Sequence, residues 1–158
     1  MARALIVGCG CRGRGLGKQL LAEGWAVRGT SRRQEGLAAI EAAGIEPALA
    51  DPAEPGTVLD LVGDVTVVVW MLGSATGSPE ELSAIHGPRL ERVLEKIVET
   101  PVRRFVYQGE GSVDPALLVR GSEAVEAATA RWRIPTAALS ADPDEWAAQV
   151  ISLNSDRN

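Results

Sequence analysis

The stretch richest in chemistry lies near the N-terminus: Gly8-Cys9-Gly10-Cys11-Arg12-Gly13-Arg14-Gly15-Leu16-Gly17. Its first six residues spell G-x-G-x-x-G. The apolar run Ala4-Leu5-Ile6-Val7 precedes them, and Leu16, Leu20 and Leu21 recur at helical spacing after them. A strand, a glycine-rich turn and a helix in that order can cradle a pyrophosphate. Gly8 would permit the tight turn, Gly10 the approach of backbone amides to phosphate, and Gly13 close packing of helix on strand. Cys11 and Arg12 fall where a helix N-terminus offers free N–H groups and a positive dipole end to an anion. A glycine-rich turn without a ligand is the other reading of these residues.

A second group follows at the end of the next apolar segment. A chain that binds NAD usually carries an acid there to accept from the ribose 2′-hydroxyl. This one reads Thr30-Ser31-Arg32-Arg33, with no carboxylate before Glu35. Two hydroxyls and two guanidiniums suit a 2′-phosphate, since Arg offers paired donors to phosphate oxygens. NADP is therefore expected ahead of NAD. The alternative is a pair of solvated arginines at a helix start, although cations there oppose the helix dipole. Asp51, followed by Pro52, reads two ways: an acceptor for an adenine amino group, or a helix N-cap with proline near the first turn. Met71-Leu72-Gly73-Ser74 would form a floor under the nicotinamide-side ribose.

Groups able to move protons are few. Glu110 follows a later strand pattern and is a candidate catalytic side chain. Glu110 reads as a general base or substrate contact, or as a solvated loop residue. His86 is the one histidine, and a hydrogen-bonded structural role is favoured over acid–base work. Tyr107, the one tyrosine, falls inside a strand pattern and reads as core. A thiol at a helix N-terminus can be acidified, so Cys9 and Cys11 suggest either a redox-sensitive loop or small residues chosen for fit. Two Cys and one His without ligand spacing give no metal site. Trp25, Trp70, Trp132 and Trp146 are scattered and expected in the core or at contacts.

The elements that must position these groups alternate along the chain. Strands are expected at 4–7, 25–30, 45–50, 65–70, 102–108 and 134–139. Helices are expected at 15–23, 34–43, 52–62, 79–99 with a break at Gly87-Pro88, 115–132 and 144–153. Val65 to Trp70 is β-branched without alternation, as in a strand buried on both faces. Such alternation implies right-handed crossovers and a parallel sheet. Six strands fit an α/β, doubly wound Rossmann sheet in the order 3-2-1-4-5-6, with ligands at the carboxyl ends of the strands.

Composition bounds the rest. At 158 residues, a single domain over 1–158 is expected. A net charge of −5 weighs against nucleic-acid binding and leaves nothing polybasic to hold an anionic membrane. No apolar run approaches the roughly 20 residues of a membrane span. Two thiols without a disulfide framework, and no secretory pattern, point to the cytoplasm. A homodimer fits the small size.

The strand-turn pattern from Ala4 to Gly8, the Arg-containing end of the second strand, and Ala50-Asp51-Pro52 resemble the extended and atypical short-chain dehydrogenase/reductases. That group includes NAD-dependent epimerase/dehydratases and NmrA-like NADP-binding proteins. His86-Gly87-Pro88-Arg89 through Arg103-Arg104-Phe105-Val106-Tyr107 is similar to the family's fourth helix and fifth strand. Arg133-Ile134-Pro135-Thr136-Ala137-Ala138-Leu139 is similar to its sixth strand. The resemblance implies dinucleotide binding. Its first loop is usually G-x-x-G-x-x-G, and here the first spacing is one residue shorter. Family catalysis uses a Tyr and a Lys four residues later, in which the Lys lowers the Tyr pKa so that the Tyr can pass a proton. Gly111 stands four residues after Tyr107, and residues 117–125 hold neither Tyr nor Lys. The resemblance makes Ser112 a candidate catalytic residue, as a remnant of the serine the family carries after its fifth strand. The family's substrate-binding region is expected to be minimal or absent. The expected function is thus an NADP(H)-binding or sensing module without turnover. The alternatives are an oxidoreductase or epimerase-like enzyme with an atypical site, and a scaffold that binds no nucleotide.

Overall fold

The computed structural model describes residues 2–155. Six strands and seven helices alternate in it: β1 (Arg3–Val7), α1 (Cys11–Ala22), β2 (Ala26–Ser31), α2 (Gln34–Ala42), β3 (Glu46–Leu49), α3 (Pro55–Leu59), β4 (Val67–Trp70), α4 (Pro79–Ile85), α5 (Pro88–Ile97), β5 (Arg104–Tyr107), α6 (Pro115–Trp132), β6 (Thr136–Ala138) and α7 (Trp146–Ser155). A short 3-10 turn, Pro143–Glu145, leads into α7. The strands form one parallel sheet in the order β3-β2-β1-β4-β5-β6, the doubly wound arrangement expected from the sequence.

Both faces of the sheet are covered, which is why β1 and β4 carry no polar alternation. On one face Leu5, Val7, Val68, Trp70, Phe105 and Tyr107 pack against Leu90, Leu94 and Ile97 of α5 and Val125 of α6. On the other, Ala4, Ile6, Val67, Val69 and Val106 pack against Leu16 and Leu20 of α1, Ile40 of α2, and Trp146 and Val150 of α7. Each fully buried Val or Leu contributes about 1.5–3 kcal/mol. Among the described residues, no helix is long and apolar enough to cross a membrane.

Register sets the ligand edge. Val7 lies beside Trp70, and Trp70 beside Tyr107. The residues that follow, Gly8, Met71 and Gln108, therefore leave the sheet side by side at its carboxyl edge.

Three helix starts differ from expectation. Helix α1 begins at Cys11, not Gly15, so Gly13, Gly15 and Gly17 lie within it. Helical glycine costs about 1 kcal/mol relative to alanine, but α1 packs too close for side chains on its inner face. A Cβ on Gly17 would run into Ile45, and one on Gly13 would press on Ile6 at 3.2 Å. Helix α3 begins at Pro55, not Pro52. Asp51 Oδ1 instead accepts the Ala53 N–H at 2.9 Å, which closes a turn before the helix. The N-cap reading of Asp51 is thus corrected: Glu54 occupies that position. Helix α7 starts at Trp146, after Asp142 caps the 3-10 turn by accepting from Asp144 N–H at 3.0 Å. The break at Gly87-Pro88 is present, because proline lacks the N–H a continuous helix needs.

Candidate functional site

The loops after β1, β2, β3 and β4 frame an open cleft of about 560 Å³ at the carboxyl edge of the sheet. It sits where the strand order reverses between β1 and β4, the expected ligand position in this architecture.

Its back wall is the glycine turn. Gly8 has φ +83°, in the region that favours glycine, and a Cβ there would strike Leu72 at 2.6 Å and the Met71 carbonyl oxygen at 2.7 Å. Thr30, almost fully buried, fixes this turn from β2. The Gly8 N–H donates to Thr30 Oγ1 at 3.1 Å, and the Cys9 N–H to the Thr30 carbonyl at 2.8 Å. Gly10 is the N-cap of α1, with extended backbone (φ −81°, ψ −156°) and, its chain neighbours aside, no atom within 4 Å of where its Cβ would stand. Neither strain nor packing requires a glycine there; the open space is the cleft itself. Cys11 and Arg12 are exposed on the first turn of α1 and, with Gly13 and Arg14, line the cleft.

Cys9 points the other way. It is buried, with its side chain against Gly29, where a Cβ would meet Sγ at 2.6 Å. Burial pushes its thiol up to about 11, with Arg14 pulling weakly in the opposite direction. The acidified-thiol reading therefore fails for Cys9, which is a packing residue. Cys11 is the exposed thiol.

The β2 end contributes Ser31, Arg32 and Arg33. Ser31 Oγ accepts from the Arg33 N–H at 3.1 Å and donates to the Arg33 carbonyl at 2.8 Å, which fixes the turn into α2. Arg32 reaches across the cleft mouth: Nη2 donates to the Thr76 carbonyl at 3.0 Å, and Nη1 lies 3.9 Å from Glu81 Oε2. Arg33 is exposed on the same rim. Asp51 and buried Pro52 line the cleft at the β3 end.

The floor is Met71 and Leu72, both buried. Beneath it His86 is fully buried, with Nε2 2.9 Å from the Leu72 carbonyl and Nδ1 2.7 Å from Tyr107 Oη. A carbonyl can only accept, so Nε2 carries the hydrogen and Nδ1 accepts from the Tyr107 hydroxyl. Burial pushes the His86 pKa down and the Tyr107 pKa up, so both are neutral. The expected structural role of His86 is what the geometry displays.

Gly73 does not line the cleft; it is clamped to the loop after β5. Its N–H donates to Gln108 Oε1 at 2.8 Å, and its carbonyl accepts from Val113 N–H at 3.0 Å. Ser112 N–H donates to Ser74 Oγ at 3.2 Å. Glu110 and Ser112 are exposed and outside the cleft lining. The cleft also gains residues that sequence reasoning missed, chiefly Thr76, Glu81 and Gln108. Ser78-x-x-Glu81 is legible as a capping box, but its place on the cleft rim is not.

This fold, with a glycine turn opening a helix at the strand switch point, defines a dinucleotide-binding Rossmann domain. Residues 8–131 match the model of the NAD(P)H-binding family, and the chain belongs to that family. No curated protein matches the sequence. Among solved structures it is similar to a short-chain dehydrogenase/reductase superfamily protein from Agrobacterium tumefaciens with bound NAD. That pair shares 20% identity with a TM-score of 0.68, covering 86% of this chain and 48% of the other. It is also similar to the Citrobacter sp. triphenylmethane reductase complexed with NADP(H), at 17% identity and TM-score 0.63, covering 85% and 48%. A short-chain dehydrogenase from Rhodopseudomonas palustris gives 15% identity and TM-score 0.72, covering 99% and 92%. The chain thus spans about half the length of the first two and nearly all of the third.

Proposed function

We propose that this protein binds NADP(H) in the cleft as a sensing or carrier module and does not turn it over. The observation that carries the reading is Gly10. Its backbone tolerates any residue and nothing packs on it, yet it leaves open the space before the N–H groups of α1. A pyrophosphate fits there, held by the backbone from Gly10 to Gly13 and the helix dipole. Arg32 and Arg33, with Ser31, would take the 2′-phosphate, Asp51 and Pro52 would flank the adenine, and Met71 and Leu72 would support the second ribose. The bound dinucleotide supplies a hydride donor or acceptor.

The absence of turnover is supported by the cleft floor. Of the lining that follows β4, Ser74, Ala75, Thr76, Leu82, Ile85 and Gln108 carry no titratable side chain, and the carboxylate of Glu81 faces Arg32 at the rim. The Tyr107 hydroxyl is buried and committed to His86. Enzymatic neighbours favour a second reading, an atypical oxidoreductase in which Glu110 or Ser112 acts once the β5 loop moves.

Fluorescence titration of NADPH and NADH on wild type and Arg32→Ala/Arg33→Ala tests the proposal. NADPH should bind at least about tenfold tighter, a gap of about 1.4 kcal/mol, and the double variant should erase the gap. Equal affinities in the wild type would refute the 2′-phosphate site. NADPH oxidation with a carbonyl substrate, lost in Glu110→Gln or Ser112→Ala, would establish the second reading instead.

A further inference from the structure

We infer that Glu81 moderates the NADPH preference of the cleft by competing with the 2′-phosphate for Arg32. This rests on the dinucleotide reading and adds a specificity residue from outside the glycine turn and the β2 end. The end of β2, Thr30-Ser31-Arg32-Arg33, holds no carboxylate, but the fold delivers one from α4. Glu81 Oε2 stands 3.9 Å from Arg32 Nη1, while Arg32 Nη2 donates to the Thr76 carbonyl at 3.0 Å. All three residues line the cleft.

The carboxylate is held in place. Ser78 N–H donates to Glu81 Oε1 at 3.2 Å, and the Glu81 N–H donates to Ser78 Oγ at 3.2 Å, a capping box at the start of α4. Hydrogen bonds from Ser78, with Arg32 adding to them, keep the Glu81 carboxyl below its ordinary range. A phosphate that recruits Arg32 competes with the carboxylate for the guanidinium, and it then lies near a fixed negative charge. A ribose 2′-hydroxyl meets neither cost. Glu81 therefore lowers affinity for NADPH and leaves NADH unaffected. The side chains of Arg32 and Glu81 are 37% and 58% exposed, so solvent screens the pair and the effect is small.

The substitution Glu81→Gln isolates the charge, because glutamine also completes a capping box and the fold is retained. NADPH and NADH are titrated on wild type, Glu81→Gln, Arg32→Ala and Arg32→Ala/Glu81→Gln. Glu81→Gln should tighten NADPH about two- to fivefold and leave NADH unchanged. The gain should vanish in the Arg32→Ala background and shrink at roughly 0.5 M salt. An unchanged NADPH/NADH ratio in Glu81→Gln, with Arg32→Ala still losing its preference for NADPH, overturns the assignment and leaves the 2′-phosphate site standing. A gain of equal size without Arg32 overturns it too, since Glu81 would then act by its charge alone. If no variant binds either nucleotide, the dinucleotide reading falls and takes this assignment with it.

Discussion

The Gln108 carboxamide oxygen accepts the Gly73 N–H at 2.8 Å, and both residues lie at the carboxyl edge of the sheet. This one side chain ties the loop after β4 to the loop after β5. A Cβ on Gly73 would drive into the Glu110 carbonyl, so the two backbones are in direct contact. Gln108→Leu leaves the Gly73 N–H buried without an acceptor. It should cost about 1–3 kcal/mol in urea unfolding. A leucine variant as stable as wild type would show that the clamp contributes nothing.

The His86–Tyr107 pair makes stability fall with acid. The folded His86 pKa is depressed by burial, below an unfolded value of about 6.5. Above that unfolded pKa both states are neutral and stability is full. As pH falls below it, the unfolded chain takes up a proton that the native chain refuses, and stability is lost until the folded pKa is reached. His86 is the chain's one histidine, so a drop in urea midpoint between pH 7.5 and roughly 5.5 is assigned to it. A flat or rising midpoint would contradict this.

Tyr107→Phe removes the donor that satisfies His86 Nδ1. The expected loss is about 1–3 kcal/mol, read as a lower denaturant midpoint at neutral pH. No loss would mean that Nδ1 finds another partner in a site where none is visible.

The two thiols should behave differently. Cys9 is buried with its thiol pushed up to about 11, and Cys11 is exposed on the cleft. Iodoacetamide at pH 7.5 should label Cys11 alone in the native protein and both residues in denaturant, as read by intact mass. NADPH should slow the labelling of Cys11. Labelling of Cys9 in the native state would contradict its packing against Gly29.

Much of the fold was legible because its signals are local. Val67 to Trp70 has no polar alternation, so it had to be a central strand, and α6 runs from Pro115 to Trp132 as expected because Asp114 caps it and Pro115 opens it. The start of α1 was not legible. Gly13 lies in a glycine-rich stretch that reads as loop, and the closeness of Ile6 explains why the helix carries a glycine there. The glycine turn and the Arg32-Arg33 pair could be read because each motif sits within a few residues. Thr76, Glu81 and Gln108 could not, since only the placement of α4 and the β4 and β5 loops brings them to the cleft. Thr30 was expected to face the cofactor, and its hydroxyl instead holds the Gly8 N–H.

The central claim, a pyrophosphate seated on the turn at Gly10, is tested most directly by Gly10→Val. The backbone there is extended and the space beyond Cα is empty, so the variant should fold with a melting temperature within a few degrees of wild type. Its side chain would occupy the phosphate position, and NADPH affinity should fall by at least about tenfold, or about 1.4 kcal/mol. A folded Gly10→Val protein that binds NADPH as tightly as wild type would contradict the account and leave the glycine-rich loop as a turn only.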